Sequence, residues 1–172
     1  DGLWLVYESY QGDEFGGSLE LFIRPVDGLQ PPIRLTDDPA GDTTPIWSPV
    51  SNEIAFISDR FGNADLFLLN PNGTVSTLTT NPEPDSAPAW SPDGSLVAFK
   101  KHSGELSDLC VIGHDALGQR CLTSSPAPEF GSPVWSPDGR SLAVTAKQGS
   151  GYGIDIFRLT DGSVTQLSAE GV

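Results

Sequence analysis

Two aspartates, Asp42 and Asp85, each stand five residues before a tryptophan, and a third copy of that spacing has Phe130 at the offset with Glu129 beside it. Carboxylates repeated at one offset can gather around a hard cation such as Ca²⁺, which takes about six to eight oxygens. They can equally accept hydrogen bonds from their own turns. Asp42, Asp85 and Glu129 are therefore candidate binding residues, with Ca²⁺ the one candidate ion. A second acidic set, Glu20, Asp65, Asp108 and Asp155, recurs once in every repeat described below. A catalytic group is needed once, so a residue present in each repeat reads as structural. These four are expected to be turn acceptors, with Asp65 pairing to Arg60. Cys110 and Cys121 are the only cysteines. They fit either two reduced thiols or a disulfide, and their place in a hairpin decides between these below.

No catalytic constellation stands out. The chain has no Gly-x-Ser-x-Gly elbow, no His-Glu-x-x-His and no phosphate-binding glycine loop. Gly149-Ser150-Gly151-Tyr152-Gly153 is glycine-rich but joins two strand-like segments and opens no helix. His102 and His114 fall in turns and read as solvated. Two Cys and two His at 102, 110, 114 and 121 match no zinc spacing. The expectation is a non-enzyme without a cofactor.

The charge is one-sided, with 23 acidic against 9 basic residues and a formal net charge of -14 over 172 residues. Nucleic acid and anionic lipid both need a basic face, so neither is an expected partner. No window of 18 apolar residues occurs, so no transmembrane helix is expected. No charged segment followed by an apolar core opens the chain, so no signal peptide is expected in it. The absence of Met leads to the expectation of a processed or excised piece of a larger protein.

The elements that position these side chains follow from a repeat. Pro-x-Trp-Ser runs carry Trp47, Trp90 and Trp135, which lie 43 and 45 residues apart. Two of the runs continue into Pro-Asp-Gly (Pro92 to Gly94, Pro137 to Gly139), and the first is degraded to Pro49-Val50-Ser51. At that period Leu5-Val6-Tyr7, Ile54-Ala55-Phe56, Val97-Ala98-Phe99 and Leu142-Ala143-Val144 share one offset, provided Asp1-Gly2 is the Asp-Gly turn of a first repeat. Segments ending on Leu35-Thr36, Leu78-Thr79, Leu122-Thr123 and Leu167-Ser168 share another.

Each repeat thus reads as four short strands linked by tight turns. Four strands at this period is the pattern of propeller blades. An all-β fold of four four-stranded antiparallel blades is expected: 1–44 lacking its first strand, then 45–87, 88–132 and 133–172. That makes fifteen strands where four complete blades need about sixteen. The open edges this leaves invite self-association. In the third blade, if Ile112 faces Gln119, Cys110 faces Cys121 directly, at a separation a disulfide can span. The disulfide is the favoured state, and it implies an oxidising compartment. Trp4 occupies an offset held elsewhere by Glu53, Leu96 and Ser141, which marks it as a rim position.

The run Pro-x-Trp-Ser-Pro-Asp-Gly, an apolar-Ala-Phe strand, Asp-Leu-Phe and a final Leu-Thr resembles the WD40-like propeller repeat of TolB-type periplasmic proteins. Ser58-Asp59-Arg60-Phe61-Gly62-Asn63-Ala64-Asp65 is similar to that family's second turn, whereas the other three repeats depart from it. The resemblance implies a periplasmic or extracellular binding module for a protein or peptide. The alternative it implies is an accessory propeller of a larger hydrolase or peptidase.

Overall fold

The computed structural model describes residues 2–13, 16–123, 130–148 and 151–168. Among them it contains strands and turns and no helix. The first sheet holds β1 (Trp4–Asp13), β2 (Gly16–Pro25) and β3 (Ile33–Arg34). The second holds β4 (Asp42–Trp47), β5 (Ile54–Ser58), β6 (Asp65–Leu69) and β7 (Val75–Thr77). The third holds β8 (Asp85–Trp90), β9 (Leu96–Ser103), β10 (Leu106–Gly113) and β11 (Arg120–Cys121). The fourth holds β12 (Val134–Trp135), β13 (Ser141–Gln148), β14 (Gly151–Arg158) and β15 (Val164–Ser168). Every sheet is an antiparallel meander in chain order, three-stranded in the first case and four-stranded in the others.

Side chains alternate across a strand, so each sheet offers two faces. Ala55, Ile57, Leu66 and Leu68 of the second sheet pack against Val97, Phe99, Cys110 and Ile112 of the third. From its opposite face Ile54, Phe56, Phe67 and Leu69 pack against Leu21 and Val6 of the first sheet. Ala98, Leu109 and Val111 meet Leu142, Val144 and Phe157 of the fourth. Burial on both faces explains why β5 and β6 are apolar nearly throughout, where a one-sided strand would alternate. The small Ala55 and Ala98 are fully buried where neighbouring sheets meet.

The tryptophan of the innermost strand hooks onto the preceding sheet. The Trp90 indole N–H donates to the Ile46 carbonyl at 3.2 Å, and that of Trp135 to the Ala89 carbonyl at 3.0 Å. The Asp-Gly turn that follows is a staple. Asp93 accepts from the Ser91 hydroxyl at 2.6 Å and from the Ser95 amide at 3.1 Å, and Asp138 repeats this with Ser136 and Arg140. These hydrogen bonds hold both carboxyls below the usual range. Gly94 and Gly139 sit at φ +69, a conformation that favours glycine, and Gly2 has the same φ. Gly2 thus shares the backbone conformation of the glycines at the same repeat offset.

The expected columns fail in one place. Phe22, Phe67 and Cys110 face Arg34, Thr77 and Cys121. Phe157 faces Val164, while Gln166 has slipped two residues to face Asp155. The cause is the hairpin: Arg158 donates its N–H to the Ser163 carbonyl around the four-residue loop 159–162. A two-residue slip keeps the same faces, and Leu167 lies on the face of the fourth sheet that no other described sheet covers. Leu167 is 49% exposed and its counterpart Leu78 is 6% exposed. Val134 and Ile154 are exposed on the same outward face of the fourth sheet.

Candidate functional site

The acids on the third strand of each blade form clasps to the segment that follows the fourth. Thr36 donates to Glu20 at 2.8 Å and Thr123 to Asp108 at 2.9 Å. The same threonine oxygens accept the Leu21 and Leu109 amides. Thr79 serves Leu66 and Asp65 in this way. In the fourth blade the slipped strand brings Gln166 to Asp155 instead, at 3.4 Å. These carboxylates tie the third strand to the fourth strand or the residues just after it, which is a larger structural role than the turn acceptor expected. Asp65 does not pair with Arg60; its partners are Thr79 and the Asn81 amide.

Arg60 instead binds Asp42. Its Nη2 lies 2.9 and 3.0 Å from the two carboxylate oxygens, and its guanidinium stacks over Phe67 and Phe56, 4.9 and 5.5 Å from the ring centres. Asp42 is fully buried. β-bulges in β4 and β8, with Thr44 and Ala87 at positive φ, bend the strand just after Asp42 and Asp85. Asp85, 1% exposed, has no arginine. It accepts from the Thr79 hydroxyl and, at 3.0 and 2.8 Å, from the Asn81 side-chain amide. Burial pushes its pKa up to about 6; the Thr79 and Asn81 hydrogen bonds oppose this, the Asp65 carboxyl adds to it and Lys101 opposes it. Burial also raises Asp65.

Phe130 fills the third copy of this position, packed edge-on against Phe157. Glu129 lies outside the described residues. Asp42 and Asp85 are thus buried and hydrogen-bonded by side chains of this chain. Among the described residues no three His, Cys, Asp or Glu side chains gather as a metal site. Cys110 and Cys121 face each other and are disulfide-bonded. His114 reaches Glu53 at 3.9 Å. His102 contacts the Ser86 hydroxyl at 2.7 Å, a pairing that turn composition alone could not show. Burial, with Lys100, lowers the His102 pKa. No carboxylate orients the other ring nitrogen among the described residues, so the pair lacks the third member of a nucleophile triad.

The open site lies elsewhere. A cavity of about 820 Å³ runs beside β1, walled by Gly2, Trp4, Ile23, Trp47 and the turn Ser48 to Asn52. A second, of about 530 Å³, lies against Trp4 with Leu3, Pro25 and Val26. Trp4 is 40% exposed, in keeping with the rim position read from its column. Its repeat offset was the only sequence signal of this site.

No family model matches the chain, and no curated protein sequence does. Solved structures are similar in fold. TolB from Acinetobacter baumannii matches with a TM-score of 0.75 at 23% identity, over 89% of this chain and 38% of that one. The chain has a TolB-like β-propeller fold. A chain of a nidogen–laminin complex matches with a TM-score of 0.71 at 10% identity, over 98% of this chain and 63% of that one. A puromycin hydrolase matches with a TM-score of 0.71 at 18% identity, over 88% of this chain and 24% of that one. The chain therefore spans between a quarter and two thirds of the propeller-containing chains it resembles. Among the described residues the four sheets do not close into a ring, and β1 pairs with β2.

Proposed function

We propose that this chain is a non-catalytic propeller module that binds a protein or peptide in an oxidising, cell-envelope compartment. The observation that carries this reading is the cavity between the first two blades. It sets two tryptophans, Trp4 and Trp47, against the turn Ser48 to Asn52, the materials of a recognition site rather than of a reaction centre. The disulfide supports the compartment. Similarity in fold to a chain of the nidogen–laminin complex supports a protein partner.

The test places a photo-crosslinking residue at Val50, which lines the cavity, and at Leu117, an exposed residue of a distant hairpin. In cell-envelope extract, one discrete adduct from position 50 and none from position 117 is expected. Equal labelling from both positions, or none from either, overturns the reading.

A second reading, an accessory propeller of a hydrolase or peptidase, is favoured by the likeness to puromycin hydrolase. Labelling of the natural gene product by a serine-reactive fluorophosphonate would support it, and a clean absence of labelling would remove it.

A further inference from the structure

We propose that Asn72, at the tip of the hairpin between β6 and β7, is the acceptor of an N-linked saccharide. This goes beyond the binding-module reading and shares with it only the oxidising compartment.

Of the five asparagines, only Asn72 has a serine or threonine two positions on, in Asn72-Gly73-Thr74. Asn-x-Ser/Thr, with x other than proline, is the acceptor pattern for glycosylation in a surface loop of an exported chain. The structure supplies both conditions. Asn72, Gly73 and Thr74 are exposed, and a Cβ built on Gly73 meets no atom within 4 Å. The second blade has all four strands and a neighbouring sheet on each face, so this hairpin is exposed as a tip and not as an uncovered edge. The Cys110–Cys121 disulfide supports the compartment.

The turn itself does not call for an amide. The corresponding hairpins of all four blades carry one acceptor in the same role. Asp27 accepts from the Leu29 amide at 3.0 Å, Asn72 from Thr74 at 3.0 Å, Asp115 from Leu117 at 3.0 Å and Asp161 from Ser163 at 2.9 Å. One oxygen is all the turn uses, and a carboxylate provides it in the other three. The Asn72 nitrogen is thus surplus to the turn. Asn70 gives the contrast, since its side-chain amide donates to the Thr74 carbonyl at 3.0 Å and to the Ser76 hydroxyl at 2.9 Å across the hairpin.

Thr74 also prepares the amide for reaction. Its hydroxyl donates to the Asn72 side-chain oxygen at 2.7 Å, alongside its backbone N–H. Negative charge that develops on this oxygen as Nδ2 gives up a proton is stabilised by both donors. In the transfer, Nδ2 bonds to the anomeric carbon of a sugar carried on a diphosphate. The bond from that carbon to the diphosphate oxygen breaks, the diphosphate leaves with the electron pair, and the Nδ2 proton passes to a base of the transferase. A glycosyl diphosphate and an envelope glycosyltransferase are the co-reactants. The Gly73 amide, whose attack on the Asn72 side chain would expel ammonia instead, is held by the Asn70 carbonyl at 2.9 Å.

The test reads intact and peptide masses of the natural gene product. The peptide containing Asn72 is expected to carry a saccharide increment that peptide-N-glycosidase removes, leaving aspartate. In the same host Asn72→Asp and Thr74→Val are expected to lose the increment, and Thr74→Ser to keep it. Far-UV circular dichroism checks that each variant folds, and Asn72→Asp, which preserves the turn acceptor, decides if Thr74→Val does not.

An unmodified Asn72 in the natural product, or an increment that survives Asn72→Asp, overturns the proposal. So does aspartate at position 72 before glycosidase treatment with no saccharide, since Gly73 has then reacted first. Crosslinking from position 50 is read separately, so loss of the glycan site leaves the binding module standing.

Discussion

The junction between the first two blades and the junction between the second and third bury an aspartate at the same repeat position and treat it in opposite ways. At the first, Asp42 meets Arg60, which is itself packed on two aromatic rings. At the second, Asp85 meets only a hydroxyl and a neutral amide, with Asp65 nearby on the far side of Thr79. The first carboxylate has a cation for a partner. The second keeps a proton within reach of neutral pH, because burial disfavours its ionised form and the neutral donors recover only part of that cost. One repeat position can thus hold an ion-paired carboxylate or one bound by neutral donors, depending on a single residue 18 positions away in the first case and four in the second.

The most severe way to break this contrast is Arg60→Ala. It leaves Asp42 buried without its cation and is expected to cost about 3–5 kcal/mol, read from denaturant unfolding. A loss below about 1 kcal/mol would mean that water or another group replaces the guanidinium.

Next comes pH at the second junction. Asp85 has a folded pKa above its unfolded value, so its contribution to stability is fully present below about pH 3.8 and is lost as pH rises through about 6. The span corresponds to about 3 kcal/mol. Asp85→Asn removes the titrating group. Wild type is expected to lose stability relative to this variant between pH 4 and 7; parallel pH profiles of the two proteins would refute the shift.

The disulfide of the third blade closes a loop with a sequence separation of 11 residues. Cys110→Ser with Cys121→Ser is expected to cost about 2–3 kcal/mol, checked by thermal unfolding against the oxidised parent.

The smallest effect sharpens the contrast. Thr79→Val withdraws one donor from both Asp65 and Asp85 and strands the Leu66 amide, for a loss of about 1–3 kcal/mol. It should also raise the Asp85 pKa further, seen by carboxyl-carbon NMR titration. An unchanged titration would show that Asn81 alone holds the carboxylate.

Much of the architecture was legible because the tryptophan period aligns residues that perform one task in each blade. The Ala55 and Ala98 contacts, the positive φ of Gly2 and the facing of Cys110 to Cys121 all follow from columns. The partner of Arg60 did not follow. Asp65 is nearer along the chain, but Asp42 is brought opposite Ser58 by strand pairing, and sequence distance does not report that. The threonine clasps left a signal that was open to reading, since Thr36, Thr79 and Thr123 recur at one offset like the acids they bind. The slip of β15 left none in the column, because a two-residue shift preserves the alternation of faces. The cavity was legible only as an anomaly, a tryptophan at a variable offset.

The indole hooks of Trp90 and Trp135 also bear on the shape of the whole assembly. Each ties one inner strand to the one just before it, so the tilt between blades is fixed joint by joint. Curvature in such an array is a local property, summed over neighbours. Lengthening the arc by further repeats would then extend the same bend without altering any existing joint.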